Sequence, residues 1–250
     1  MGRRIIALAM EDPSTKIVAA TEPLGSPMLG QDIGQLSGVS PTGIRINQRV
    51  ETDFDVFIDF STASATNEWL DLCVSKAKPI IIGTTGHSDA DLAAIRDAAK
   101  RIPILKSANM SVGVNVLLRI AEELGRALDA SYDVEIFESH HRFKTDAPSG
   151  TAIALRDAVI RGRGGSPPTI HGRQGQTGER PAGQIGMHSL RIGDTVGEHT
   201  VSFGNLGETI SIAHSAHSRD TFAQGALRAA KWIVAKPPGL YQMSDVLFSK

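Results

Sequence analysis

The chain has 250 residues, 41% of them hydrophobic and 21% charged, with a formal net charge of −1. That length supports one large core or two smaller ones, and the near-neutral charge argues against a nucleic-acid or membrane surface as the main partner, since either favours a basic face. The lone cysteine, Cys73, excludes an internal disulfide and fits a reducing cytoplasm.

The opening stretch MGRRIIALAM holds six consecutive apolar residues before Glu11-Asp12, too short for the apolar region of an export signal. Ile6 stands where N-myristoylation favours Ser or Thr. No stretch approaches the ~20 apolar residues of a membrane span, so a cytoplasmic protein is expected. Lys16–Glu22 (KIVAATE) reads as the first strand-like run. Asp55–Phe60 follows as a second strand, then a helix over 64–76 with Cys73 on its packed side, and a third strand at Pro79–Ile82. Gly83-Thr84-Thr85-Gly86 leads to a helix over 90–100, and a fourth strand at Ile102–Lys106 ends in Ser107-Ala108-Asn109. Strands alternating with such helices imply right-handed crossovers and a parallel sheet covered on both faces.

After a helix over 114–128 the texture changes. A strand at Asp133–Ser139 is followed by a polar loop, a helix over 151–161, and a disordered-looking Gly/Pro-rich stretch, Gly162–Gly178. Ile185–Ile192, Glu198–Phe203 and Thr209–Ala216 read as successive strands on short turns, hence an antiparallel or mixed sheet. A helix over 221–234 and a short apolar tail, Leu240–Leu247, close the chain. The expected organisation is a dinucleotide-type domain over 1–111 and 220–250 with an inserted sheet domain over 112–219.

In an open parallel sheet, ligands bind beyond the carboxyl ends of the strands. Glu22 ends the first strand-like run, twenty residues after Gly2, where an acid can accept from an adenosine ribose; the competing reading is a solvated strand end. Gly83-Thr84-Thr85 and Ser107-Ala108-Asn109-Met110 end later strands and suit close backbone approach to a flat ligand, or else are ordinary strand–helix turns. The strongest local signal is His140-His141-Arg142-Phe143-Lys144, directly ahead of a helix start at Ser149-Gly150-Thr151. Positive side chains beside a helix N-terminus suit an anion, most simply a carboxylate, and histidines exchange protons near neutral pH. A solvated charged loop is the competing reading. No metal is expected, because adjacent strand histidines face opposite ways and no further ligands cluster with them. His188, His199, His214 and His217 read as packing or interface residues.

The segment ESHHRFKTDAPSGTA (Glu138–Ala152) resembles the signature of the 4-hydroxy-tetrahydrodipicolinate reductase (dihydrodipicolinate reductase) family. DVFIDFS, IIIGTTG, SANMSVGVN and GQTGERPAGQIGMHSLRIGDTVGEHTVSF extend the likeness along nearly the whole chain. The resemblance implies an α/β fold: an incomplete doubly wound (Rossmann-type) nucleotide-binding domain plus an inserted α+β domain where four subunits meet. It implies His140 as acid/base residue and Lys144 as second catalytic donor, with His141, Gly150 and Thr151 on the substrate carboxylates. Glu22 would hold the adenosine ribose, and Gly83, Thr84, Thr85, Ser107, Ala108, Asn109 and Met110 would line the nicotinamide. The implied reaction is hydride transfer from NADH or NADPH to a cyclic unsaturated dicarboxylate. Another amino-acid-pathway dehydrogenase of similar layout would not need His140, His141 and Lys144 together.

Two departures set further expectations. The family opens with an apolar strand and a Gly-x-x-Gly-Arg-Met-Gly turn for the pyrophosphate, and this sequence starts at that Met-Gly. Losing a central strand removes a gross ~8–15 kcal/mol of burial, comparable with the ~5–15 kcal/mol stability of a whole domain. The expectation is therefore a reading frame extending ~15 residues upstream, from the motif's length before this point. The rival expectation is a relic that binds dicarboxylates and oligomerises without holding cofactor. Pro23 also replaces the basic residue that often follows the ribose-binding acid, which favours NADH.

Overall fold

A computed structural model describes residues 1–249, which form two compact units: residues 1–111 with 219–249, and Val112–Ser218. The first unit opens with helix α1 (Gly2–Glu11), an element absent from the sequence reading, and the short α2 (Ile33–Ser37). Asp32 caps α2, accepting from the N–H groups of Gly34 at 2.8 Å and Gln35 at 3.2 Å. A parallel series follows: β1 (Phe57–Asp59), α3 (Ala63–Lys76), β2 (Ile80–Ile82), α4 (Asp89–Ala98) and β3 (Pro103–Lys106). All three β2 residues are buried isoleucines, as a strand covered on both faces requires. Ser88 and Asp91 form a reciprocal capping box that starts α4. Phe57 stacks on Trp69 with ring centroids 5.1 Å apart, and Cys73 is fully buried beneath them, its thiol pushed up to about 12 by that burial.

The second unit holds α5 (Val112–Ala127), β4 (Asp133–His140), α6 (Gly150–Arg163), β5 (Thr169–His171), β6 (Ile185–Arg191), β7 (Gly197–Asn205) and β8 (Glu208–Ala216). Its sheet runs β5-β6-β4-β7-β8 and is mixed: β6 lies parallel to β4, while β7 is antiparallel to both β4 and β8. Alternate residues of β4 (Val134, Ile136) join Leu155, Val159, Val201 and Phe203 in a core with α5 and α6. Ser149 caps α6, accepting from Ala152 N–H at 3.2 Å. The chain then returns to the first unit with α7 (Asp220–Ile233), β9 (Gly239–Tyr241), which extends the parallel sheet beside β3, and α8 (Met243–Phe248). Arg4 of α1 grips Asp220 of α7 with two 2.6 Å hydrogen bonds.

Helix bounds read from the sequence agree to within two residues from α3 to α7. Four readings need correction. Lys16–Glu22 is not a regular strand; a single bridge, Thr21 to Asn47, holds it, because among the described residues no strand lies alongside it to complete a ladder. Gly162–Gly178 is not uniformly irregular, since β5 pairs within it against β6. The strands β6 and β7 are consecutive yet do not pair: β4 lies between them, so the Gly193-Asp194 turn spans a neighbour. The apolar tail is a strand followed by a helix rather than one run.

Candidate active site

In the first unit, β2 and β3 pair with Ile82 opposite Lys106, which sets their two following loops side by side at the carboxyl edge of the sheet. Gly83 lies flat on Phe60: a Cβ there would sit 2.4 Å from the ring, so no other residue fits without moving it. Thr84 turns inward, its Oγ1 accepting from Ser61 N–H at 3.0 Å, while Thr85 is exposed. Ser107 donates to the Asn109 carbonyl at 2.8 Å, and Asn109 Oδ1 accepts from Ser111 N–H at 2.9 Å. Ala108 is exposed at the loop tip, whereas Met110 is buried under Gly225. Buried Asp59 ties the turn after β1 to α3, accepting from Ser61 N–H at 2.9 Å and Thr66 Oγ1 at 2.7 Å; the sequence reading passed over it. Glu22 is half-buried on the irregular segment, its N–H donating to Asn47 O at 3.1 Å. Among the described interactions, none joins the Glu22 side chain to the two loops.

In the second unit, the end of β4, the loop 141–148 and the start of α6 converge. His140 Nδ1 is 2.5 Å from Glu138 Oε2, and Glu138 is 1% exposed. Arg191 of β6 clamps the same carboxylate through two 2.9 Å hydrogen bonds, and Ser149 N–H donates to Glu138 Oε1 at 3.2 Å. Burial opposes ionisation of Glu138, yet its hydrogen bonds, Arg191 foremost, bring the carboxyl down to about 2. Burial also lowers His140, against the pull of Glu138 and with the help of Lys144 and Arg191. Lys144 Nζ is held by Asp146 at 2.7 and 2.9 Å, and His141 Nδ1 is buried with no hydrogen-bond partner. Gly150 and Thr151 form the first turn of α6, behind the Ser149 cap.

The hydrogen bonds of Glu138 and Arg191 thus link His140 and the loop that carries His141 and Lys144 to the α6 start at Gly150 and Thr151, and the structure adds three groups that the sequence reading missed or misassigned. Glu138 was legible in part: it follows Val134 and Ile136 on the inward face of β4, and an acid at such a position demands a partner. Arg191 carried no local signal, because only the β4–β6 pairing brings it there. His199 is not merely a packing residue. It is 5% exposed, its Nε2 is 3.1 Å from Ser149 Oγ, and its ring meets His140 edge-on at 5.1 Å. Among the described residues no group of three or more His, Cys, Asp or Glu side chains could hold a metal ion, and no helix is long and apolar enough to cross a membrane.

A parallel sheet with two loops at its carboxyl edge, joined in sequence to a mixed-sheet unit, is a layout that two-unit nicotinamide-dependent oxidoreductases use. Residues 1–110 match a family model described as dihydrodipicolinate reductase, N-terminus, and residues 113–247 match dihydrodipicolinate reductase, C-terminus. The chain is 44% identical to a 4-hydroxy-tetrahydrodipicolinate reductase of Hahella chejuensis (strain KCTC 2396), across 99% of this chain and 94% of the relative. The chain belongs to the dihydrodipicolinate reductase family. In fold it is similar to a dipicolinate-bound dihydrodipicolinate reductase from Paenisporosarcina sp. TG-14, with TM-score 0.77 and 22% identity over 99% of this chain and 95% of that one. The same layout recurs in an amine dehydrogenase from Mycobacterium smegmatis, with TM-score 0.63 and 14% identity over 97% and 92%. Family membership favours a nicotinamide-dependent reductase over a relic that holds no cofactor.

Proposed function

We propose that the protein reduces 4-hydroxy-tetrahydrodipicolinate to tetrahydrodipicolinate with NAD(P)H, in the diaminopimelate route to lysine. The observation that carries this reading is the likeness over 99% of the chain, and the cationic loop ahead of the α6 start supports a dicarboxylate as its substrate. The Lys144 ammonium and the N–H groups of the first turn of α6 are donors of the kind that carboxylates require. His141, Gly150 and Thr151 bind those carboxylates, and the unpartnered Nδ1 of His141 supports that role. His140 moves a proton at its ring, and Lys144 donates to the reacting face.

The loops 83–85 and 107–110 fit a nicotinamide, because Thr85 and Ala108 are exposed at the carboxyl edge, with backbone and small polar groups beside them. Gly83, Thr84, Thr85, Ser107, Ala108, Asn109 and Met110 would line it, and Glu22 would hold the ribose. Bound NAD(P)H supplies the hydride. NADH is preferred over NADPH, because a 2′-phosphate beside Glu22 meets a carboxylate followed by Pro23, which offers no donor. The working form is a cytoplasmic homotetramer joined through the second unit.

The test is NADH oxidation by the purified protein with 4-hydroxy-tetrahydrodipicolinate. His140→Ala and Lys144→Ala should each lower kcat by ~10²–10⁴, and His141→Ala should raise KM more than it lowers kcat. Near-normal turnover in both of the first two variants would overturn these roles.

A further inference from the structure

Glu138 and Arg191 together reach each part of the candidate site within its unit. Its Oε2 meets His140 Nδ1 at 2.5 Å, and its Oε1 accepts from Ser149 N–H at the start of α6. Its clamp partner, Arg191, also donates to the Asp146 carbonyl at 2.6 Å, in the loop that carries Lys144. An acid/base residue, a cationic loop and an anion-facing helix start therefore hang on one buried ion pair. We propose that the Glu138–Arg191 pair is the positioning device of this site: it fixes the tautomer and orientation of His140 and holds the Lys144 loop and the α6 start in register with it. This rests on the role of His140 proposed above.

The tautomer follows from acceptor chemistry. An ionised carboxylate accepts only, so the contact with Glu138 requires the proton of neutral His140 on Nδ1. Nε2 then carries the lone pair and is the atom that takes up and releases the mobile proton. Gly197 leaves room on that side, since a Cβ there would stand 3.1 Å from Nε2. Arg191 has a second effect. By neutralising Glu138 it weakens the carboxylate's hold on the charged ring, so that burial keeps His140 below its ordinary value. The charged and titratable groups around the ring are Glu138 on its own strand, Lys144 with Asp146 on the following loop, Arg191 on β6 and His199 on β7. Burial brings His199 down to about 4, so it adds no positive charge beside His140 at working pH.

The pair predicts opposite shifts from its two halves. The His140 ring is titrated by NMR in the full-length protein, its signal assigned by loss in His140→Asn. Glu138→Gln removes the attracting charge and leaves Arg191, so His140 should titrate about one pH unit lower. Arg191→Gln removes the repelling charge and leaves Glu138, so His140 should titrate higher by a similar amount. Arg191→Lys keeps the charge without the fork, and should leave the titration near native. In the reductase assay, Glu138→Gln should lower kcat about ten- to a hundredfold, as loss of an imidazole-orienting partner does, with the smaller change in KM. A purely structural role predicts weaker folding with the His140 titration unmoved. Shifts that are absent, or that share one sign, overturn the proposal; if Glu138→Gln fails to fold, the two arginine variants decide it. Because the titration is read on the ring without turnover, it stands even if His140→Ala is active and the proton-transfer role falls.

Discussion

His199 lies 5% exposed between Ser149 and His140, with its Nδ1 unpartnered. Burial first, then the nearby His140, lowers its ring from 6.5 to about 4. The folded state therefore binds this proton later than the unfolded chain does. The stabilisation is complete above 6.5 and is lost as pH falls through about 4, and its full size is about 3 kcal/mol. Glu138 acts in a lower window, complete above 4.5 and lost as pH falls through about 2. Acid destabilisation between pH 6.5 and 4.5 thus belongs to His199 first, with His140, His214 and His87, which burial also lowers, adding to it, and not to the Glu138 carboxylate. Urea unfolding across this range should show a shallower pH slope in His199→Gln than in the native protein; equal slopes would refute the assignment. Glu22 supports a second residue-scale outcome. NADH should give the higher kcat/KM, and Glu22→Ala should narrow its advantage over NADPH by removing the carboxylate that repels a 2′-phosphate. A native preference for NADPH would show that a basic residue elsewhere governs the choice, with Arg3 the first to replace.

Helices α5 and α6 approach one another at two glycines. A Cβ on Gly162 would stand 2.0 Å from the Glu122 carbonyl oxygen, and one on Gly125 would stand 2.6 Å from that of Val159. Intrinsic propensity favours Ala over Gly within a helix by ~1 kcal/mol, yet here the obstacle is backbone, which cannot swing aside. Gly162→Ala should accordingly destabilise the second unit by about 1–3 kcal/mol in chemical denaturation; unchanged or increased stability would show that the helices separate freely. Helices such as α5 and α6 were legible in the sequence because their apolar spacing and, for α6, the helix start at Ser149 agree. The segment Lys16–Glu22 misled because strand propensity describes a residue's fit to a pleated surface, and this segment has a one-bridge ladder. Three-residue β5 lay hidden among glycines and prolines, since its pairing with β6 is specified by the partner rather than by its own pattern. The candidate site divides in the same way. His140, Lys144 and the α6 start lie within twelve residues of one another, whereas Arg191 and His199 reach the site only through strand pairing.

At the scale of the whole molecule, the sheet of the second unit has one face on α5 and α6 and another with no helix of its own. On that open face Phe137 is 46% exposed and stacks on His188 at 4.7 Å, while Leu190 on β6 is 47% exposed. The β7–β8 pairs Thr200–Ala213 and Ser202–Ser211 continue it with small side chains. Large apolar groups flanked by small ones form a surface that a second sheet can approach at the ~10 Å spacing of packed sheets. Glu135 on the same face is already neutralised by Arg173 and Arg180 and hydrogen-bonded to His188, so its charge does not prevent burial against another subunit. Further copies of this chain are the occupant that the proposed tetramer requires. Light scattering on the purified protein should then give the mass of four chains. Phe137→Glu and Leu190→Glu each place an unpaired carboxylate in that interface, and together they should reduce the mass to a smaller species while the second unit stays folded. A tetramer unaffected by both substitutions would place the interface on another surface, and a native monomer would remove the tetramer altogether.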